Sequence, residues 1–586
     1  MVASVALAAP GPVCSGSRPI RRGALAAVYQ RNDGGIEHQE HRRVDATTLS
    51  HRPADTSDVV LETTVGSALR EAARLDPAGT AMIAPGADDS DWRRLSFGAL
   101  LAEAERCARA LLAHFEPGDH VAVYAPNSAE WLLLELGAGL AGVVLVTVNP
   151  ASRSRELEYV LAQSRAAGLF HAAAFRGNPL SQWVAEVRPR LPQLRTVVEL
   201  GGWEAFLGAA RAAAPLPPVA PGDAAQIQYT SGTTGAPKGA LLHHRGLTNN
   251  ARFFARRIAL RAGDVYGHAM PFFHTAGCVL ATLGALQARA AHAFLAAFDP
   301  GRLLELLERE RATHLLGVPT MLVALLEQPE LARRDLAALR VVISGGASVA
   351  PDLVRAIEAR LGVTFSIVYG QTEASPLITQ TRLDDAVEDK SGTIGPPMPQ
   401  TEIRVVEPGG RQTVPAGAVG EICTRGYHVM HGYFDRPDAT AAAIDADGWL
   451  HTGDLGTMDA RGYCRITGRL KDMVIRGGEN LFPAEIEAVL VEHPAIAEAA
   501  VVGVADARMG EELVAFVRVR GERPTVAALR AHVRERLAAP KTPRYWVFID
   551  AFPLTGSGKV QKFVLRQRWE TGEVEFTDSA RRPPAG

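Results

Sequence analysis

The chain has 586 residues, 47% of them hydrophobic and 22% charged, so most of it can bury a core and long disorder is excluded. Lys and Arg total 62 against 64 Asp and Glu, a formal charge of −2, which leaves no footprint for nucleic acid or an anionic membrane. The five cysteines (Cys14, Cys107, Cys278, Cys423 and Cys464) are odd in number, widely spaced and without a C-x-x-C, so a reducing compartment fits better than a disulfide framework or a zinc knuckle.

Residues 1–58 read as a disordered or targeting extension. Met1–Arg31 contains no acid and carries Arg18, Arg21, Arg22 and Arg31. A disordered leader places the protein in the cytoplasm; an organelle transit sequence would place it in a matrix. From residue 59 the pattern alternates between helix and strand. Val65–Arg74 and Phe97–His114 read as amphipathic helices, and His120–Tyr124 as a strand leading into a helix start at Asn127-Ser128. Trp131–Val148 has the length of a membrane span and one charge, Glu135. It reads equally as a buried helix running into a buried parallel strand. An acid inside a span costs about 2.5–3.5 kcal/mol, and Gly137, Gly139 and Gly142 punctuate the run, so no integral membrane contact is expected.

Pro215, Pro217, Pro218 and Pro221 then break the pattern before a strand at Ala225–Tyr229, which suggests a boundary between two sub-lobes. Beyond residue 470 the rhythm changes: helix Pro483–Glu492, strands Ala497–Val504 and Glu512–Val519, helix Thr525–Ala538 and strand Tyr545–Ile549. The expected fold is α/β, a large domain of βα sub-lobes with mostly parallel sheets over 59–470 and a small α+β domain over 471–570. Residues 571–586 read as a mobile tail.

Five segments carry chemistry. The loudest is Tyr229-Thr-Ser-Gly-Thr-Thr-Gly-Ala-Pro-Lys-Gly239, whose hydroxyls and backbone N–H groups suit a polyphosphate, with Lys238 as a point charge. A flexible Gly/Ser/Thr hairpin loop is the plainer reading. It is not a Walker A loop, because Pro237 and Gly239 flank the lysine where that motif needs Gly and Ser/Thr. Tyr369-Gly-Gln-Thr-Glu373 sets a hydroxyl beside a carboxylate, as a phosphate–Mg²⁺ junction would; a surface turn explains it about as well. Gly448-Trp-Leu-His-Thr-Gly-Asp454 offers a carboxylate suited to paired sugar hydroxyls. Gly468-Arg-Leu-Lys-Asp472 runs on to Arg476-Gly-Gly-Glu-Asn480. Finally, Pro553-Leu-Thr-Gly-Ser-Gly-Lys559 presents one lysine in a glycine-rich loop.

In this order, over about residues 60–570, the five segments resemble the adenylate-forming superfamily of acyl-CoA synthetases, beetle luciferases and peptide-synthetase adenylation domains. The runs Arg425–Phe434 and Arg476–Glu487 look most like the medium-chain and fatty acyl-CoA ligase branch. The resemblance implies an ATP-dependent acid–thiol ligase whose small domain turns on a hinge. Thr230, Ser231, Gly232, Thr233, Thr234, Gly235 and Lys238 would wrap the β- and γ-phosphates of ATP. Gly346, Ala347, Tyr369 and Gly370 would line the adenine pocket. Thr372 would meet the α-phosphate, Glu373 would hold Mg²⁺, and Asp454 and Arg469 would grip the ribose. Lys471 matches the hinge and Lys559 the lysine that catalyses adenylation, while Gly477 and Gly478 would let the pantetheine arm of coenzyme A pass.

His274, in Pro271-Phe-Phe-His-Thr-Ala-Gly277, reads from composition as a core histidine and from the resemblance as a gate of the acyl tunnel. Ala276–Ala281 lacks the acid with which amino-acid-activating relatives hold an ammonium, and Val368 stands where malonate-type relatives place a base. An apolar monocarboxylic acid, medium-chain fatty or aryl-aliphatic, is therefore the expected substrate. CoA is the expected acceptor, with a carrier protein or a non-catalytic binding role as alternatives; oligomeric state is not read from the chain.

Overall fold

The computed structural model describes residues 48–86, 92–209, 215–230, 237–347, 349–554 and 560–579. The extension up to residue 47 lies outside them.

Two parallel-cored sheets dominate the large domain. One has seven strands, ordered Gly432–Tyr433, Lys238–His243, Ala224–Thr230, Val144–Val148, His120–Tyr124, Gly168–His171 and Thr196–Glu199. The other has eight, ordered Leu377–Gln380, Thr364–Gly370, Val341–Gly345, His314–Leu316, Val265–His268, Ala291–Phe294, Thr80–Pro85 and Trp92–Ser96. Helices Val65–Leu75, Phe97–Leu112 and Ala129–Ala141 share one core with residues of both sheets, among them Met82, Phe294, Val121 and Leu145. Each helix opens on a hydroxyl cap: Thr64 accepts from Ser67 N at 3.1 Å, Ser96 from Ala99 N at 3.2 Å and Ser128 from Trp131 N at 3.1 Å.

The apolar run Trp131–Val148 is a buried helix stopped by Gly142 at φ +71° and followed by the strand Val144–Val148. Among the described residues no helix is long and apolar enough to cross a membrane. Glu135, inside that helix, accepts from Gln226 Nε2 at 2.9 Å, and burial pushes its carboxyl well above the usual range.

A third, antiparallel sheet escaped the sequence reading. Its strands are His51–Arg52, Thr401–Val406, Gly420–Gly426, Leu450–Met458 and Cys464–Arg469. The turn Leu470–Asp472 leads from it into the small domain, a six-stranded sheet that includes the hairpin Val474–Arg476/Glu479–Leu481 and the pair Ile496–Asp506/Gly510–Val519.

Three expectations are corrected. The proline-rich break separates no sub-lobes: the strands before it and Ala224–Thr230 after it belong to one sheet, because Leu145–Thr147 pair with Gln226–Gln228. Residues 48–58, expected in the extension, are part of the large domain. His51 and Arg52 pair with Arg404 and Ile403, and the Asp58 carboxylate takes the guanidinium groups of Arg252 and Arg256. The start of the tail is docked rather than loose: Thr577–Asp578 pairs with Tyr545–Trp546, and the Phe576 ring stands 4.7 Å from Trp569.

Candidate active site

Strand ends gather the predicted residues. Thr364–Gly370 runs parallel to Val341–Gly345, and the two chains approach so closely that a Cβ on Gly345 would stand 2.3 Å from Val368 O. Tyr369 and Gly370 therefore end beside Gly346 and Ala347, which are exposed, Gly346 with φ +76°. Directly after them the tight turn Thr372–Ala374 carries Thr372 and Glu373.

The segment Tyr369–Glu373 reaches in two directions. Tyr369 Oη donates to Asp454 Oδ2 at 2.9 Å, and Asp454 Oδ1 pairs with Arg469 Nε at 3.0 Å. Asp454 and Arg469 are direct cross-strand partners, so the pairing of Leu450–Met458 with Cys464–Arg469 brings the two motifs together. Burial, and then the Asp454 carboxylate, hold the Tyr369 phenol well above its ordinary pKa, so it stays a donor. On the other side Glu373 Oε1 accepts from Tyr433 Oη at 2.7 Å, while Met430 N donates to the Glu373 carbonyl at 2.9 Å. Lys238 Nζ lies 4.9 Å from the centre of the Tyr433 ring.

Tyr433 is the residue the motif reading missed. It lies within the run Arg425–Phe434, yet only the pairing of Gly432–Tyr433 with Ala240–Leu241 sets it between Lys238 and Glu373. Burial and Glu373 raise its phenol, which remains a donor throughout the working range.

Thr230 and Lys238 face each other across the base of the phosphate-type hairpin. Tyr159 Oη fixes the far side by donating to Pro237 O at 2.8 Å. Ser231, Gly232, Thr233, Thr234 and Gly235, and likewise Lys559, lie outside the described residues.

His274 lies in the segment that follows the strand Val265–His268. Its Nδ1 accepts from Ala276 N at 3.1 Å, at the entrance to the π-helix Ala276–Leu283, a form often found at functional sites. Lys471 occupies the turn Leu470–Asp472. Gly477 and Gly478 form the two-residue tip of the hairpin that follows, with φ +61° and +88°, as a primed turn requires.

The residue set comprises two cations, phenolic donors and one carboxylate, Glu373, that forms no ion pair among the described residues. Such a set fits a phosphorylated, metal-bearing nucleotide. The family model for AMP-binding enzymes matches residues 69–434, and that for the AMP-binding enzyme C-terminal domain matches 485–559.

The chain belongs to the AMP-binding enzyme family.

Among its relatives, YngI of Bacillus subtilis, named provisionally as an acyl-CoA synthetase, is 42% identical over 77% of this chain and 87% of its own. The mitochondrial medium-chain acyl-CoA ligase ACSF2 of Rattus norvegicus is 35% identical over 96% of both chains. Among solved structures, ATP-bound MatB from Rhodopseudomonas palustris matches with a TM-score of 0.78 and 32% identity, over 87% of this chain and 99% of its own. This AMP-binding enzyme is thus α/β, with a large N-terminal and a smaller C-terminal domain.

Proposed function

We propose that this AMP-binding enzyme is an ATP-dependent acyl-CoA ligase that activates an apolar monocarboxylic acid, medium-chain fatty or aryl-aliphatic. The observation that carries the reading is the double reach of Tyr369–Glu373, toward Asp454 and Arg469 on one side and toward Tyr433 and Lys238 on the other. The relatives named as acyl-CoA ligases span nearly the whole chain. Asp454 takes the ribose hydroxyls and Arg469 orients it; Lys238 and the hairpin above Thr230 take the terminal phosphates.

The substrate carboxylate attacks the α-phosphorus of ATP, pyrophosphate leaves, and an acyl-AMP results. The thiol of CoA then loses its proton and attacks the acyl carbon, forming the thioester and expelling AMP. In the first step two anions meet, so positioned positive groups matter most; each such group typically contributes about 3–4 kcal/mol. Lys559 supplies the late ammonium at the α-phosphate. Glu373, which forms no ion pair among the described residues, suits Mg²⁺, which would offset phosphate charge when bound. Gly477 and Gly478 admit the pantetheine arm, and Lys471 is the pivot between the proposed domains 59–470 and 471–570. His274 lines the acyl pocket. The described cysteines are all free and buried, which suits a reducing cytoplasmic or matrix setting.

The test is CoA-dependent release of AMP and pyrophosphate across a panel of carboxylic acids. Turnover with medium-chain or aryl-aliphatic acids is expected. AMP release that no acid couples to CoA would overturn the assignment.

A further inference from the structure

Asp454 does not sit on a regular strand. Between the pairs Glu421↔Leu455 and Cys423↔His451 the ladder sets one residue, Ile422, against three: Thr452, Gly453 and Asp454. Such a bulge re-aims a side chain, but it forfeits the ladder bonds that would hold it still. Side chains replace them. Thr452 Oγ1 donates to Ile422 O at 2.7 Å and accepts from Asp454 N at 3.1 Å. Glu421 Oε1 accepts from Gly453 N at 2.9 Å, and its Oε2 accepts from His451 Nδ1 at 2.8 Å. One carboxylate, 4% exposed, thus spans the bulge from His451 to Gly453.

We propose that Glu421 and His451 are positioning residues of the nucleotide site: as an ion pair they clamp the bulge that presents Asp454, and the charge on His451 couples nucleotide affinity to pH. The proposal rests on the reading of Asp454 as the ribose contact.

The groups facing His451 explain the coupling. Glu421 bonds Nδ1, and the Asp445 carboxylate stands 3.7 Å from Nε2. Arg404 pairs with Asp445 at 3.2 Å, and the Cys423 sulfur lies 3.4 Å from Nδ1. The bond to Glu421 raises the His451 pKa above its ordinary value, whereas burial keeps the Cys423 thiol protonated. Losing the His451 proton at alkaline pH turns the Nε2 lone pair toward Asp445, and the pair loosens. Nucleotide affinity should therefore fall as pH rises through the His451 pKa and be level below it.

Glu421, Cys423 and His451 also have the spacing of a three-ligand metal site, with donor atoms within 4.8 Å of one another. Two features oppose that use. The bond to Glu421 already engages His451 Nδ1, and Arg404 already supplies positive charge beside Asp445 and Cys423.

The experiment measures KM for ATP over about pH 6 to 9, in wild type, Glu421→Gln, His451→Gln and Asp454→Ala. KM for the acid and circular dichroism serve as controls. His451→Gln should raise the ATP KM on the order of tenfold at neutral pH, as loss of a charged hydrogen bond does, and should abolish the alkaline rise. Glu421→Gln keeps the acceptor for Gly453 but removes the charge, so the rise should move to lower pH. The acid KM should hold in both variants. If Asp454→Ala raises the ATP KM while both clamp variants keep wild-type values and profile, the inference is overturned. An Asp454→Ala enzyme with unchanged ATP KM would instead sink the ribose reading, and the clamp with it. Should Glu421→Gln fail to fold, the His451→Gln profile decides alone. One equivalent of zinc retained through dialysis by wild type, and lost in Cys423→Ser, would also overturn the clamp in favour of a metal site.

Discussion

Two turns of this enzyme present the proposed functional residues in opposite ways. In the large domain Asp454 rides a bulge tied down by Thr452, Glu421, Tyr369 and Arg469. In the small domain Gly477 and Gly478 form an exposed tip: Gly477 N donates to Met509 O at 2.8 Å, and among the described residues a Cβ on Gly478 would meet nothing within 4 Å. The contrast matches the proposed division of labour. A nucleotide site used in both half-reactions gains from groups fixed in advance, because no reorganisation is left for the chemical step. A tip past which a long arm must slide gains from the absence of side chains.

The sharpest way to break this comparison is Lys559→Ala, since Lys559 is the one small-domain group assigned to the α-phosphate. Acyl-AMP formation should fall on the order of 10³-fold, while thioester formation from supplied acyl-AMP survives. Parallel loss of both half-reactions would remove the lysine from adenylation. Next come the hinge and the tip. Proline fixes φ near −65°, so Lys471→Pro should lower overall thioester synthesis on the order of 100-fold with ATP–pyrophosphate exchange nearly intact. Gly478→Leu should act in the same direction, by setting a side chain in the path of the proposed arm and by straining a backbone at φ +88°. Equal losses in exchange and thioester synthesis, with the fold intact, would contradict a rotating small domain.

A smaller effect concerns the strap at 48–58. Deleting residues 1–58 strips the edge strand His51–Arg52 and the Asp58 pairs with Arg252 and Arg256, whereas deleting 1–47 removes neither. The longer deletion should lower Tm by about 5 °C relative to the shorter one. Equal Tm values would mean that the strap contributes nothing.

A further difference is acid sensitivity concentrated in the large domain. Burial lowers His243 and His244 to about 4 and His268 and His428 to about 3, all in the large domain. A histidine whose folded pKa lies below its unfolded value stabilises fully above about pH 6.5 and loses that contribution as pH falls toward the folded value. Hydrogen exchange, corrected for its intrinsic pH dependence, should show the large domain losing protection between about pH 7 and 5 before the small one does. A uniform loss would refute the assignment.

Much of the site was legible because its chemistry is local in sequence. Tyr369, Thr372 and Glu373 fall within five residues, and the hydroxyls and glycines before Lys238 form one contiguous run. Tyr433 was not legible, since nothing in Gly432-Tyr433 distinguishes it until that strand pairs with Ala240–Leu241. The sub-lobe boundary misled for a similar reason. Four prolines mark a stretch that cannot be strand, but they do not reveal that the chain returns to the sheet it left.

By itself the sequence determined the α/β alternation, the buried course of Trp131–Val148, the helix start at Asn127-Ser128 and the family, because periodicity, capping and contiguous motifs are properties of neighbouring residues. Tertiary structure alone decided the antiparallel third sheet, the edge strand at His51–Arg52 and the docking of Thr577–Asp578. It alone also joined Asp454 to Arg469 and set Glu421 beneath the bulge. Those are pairings across long sequence separations. Register and bulges between distant strands depend on which edges meet and which faces are buried, and no local pattern encodes that choice.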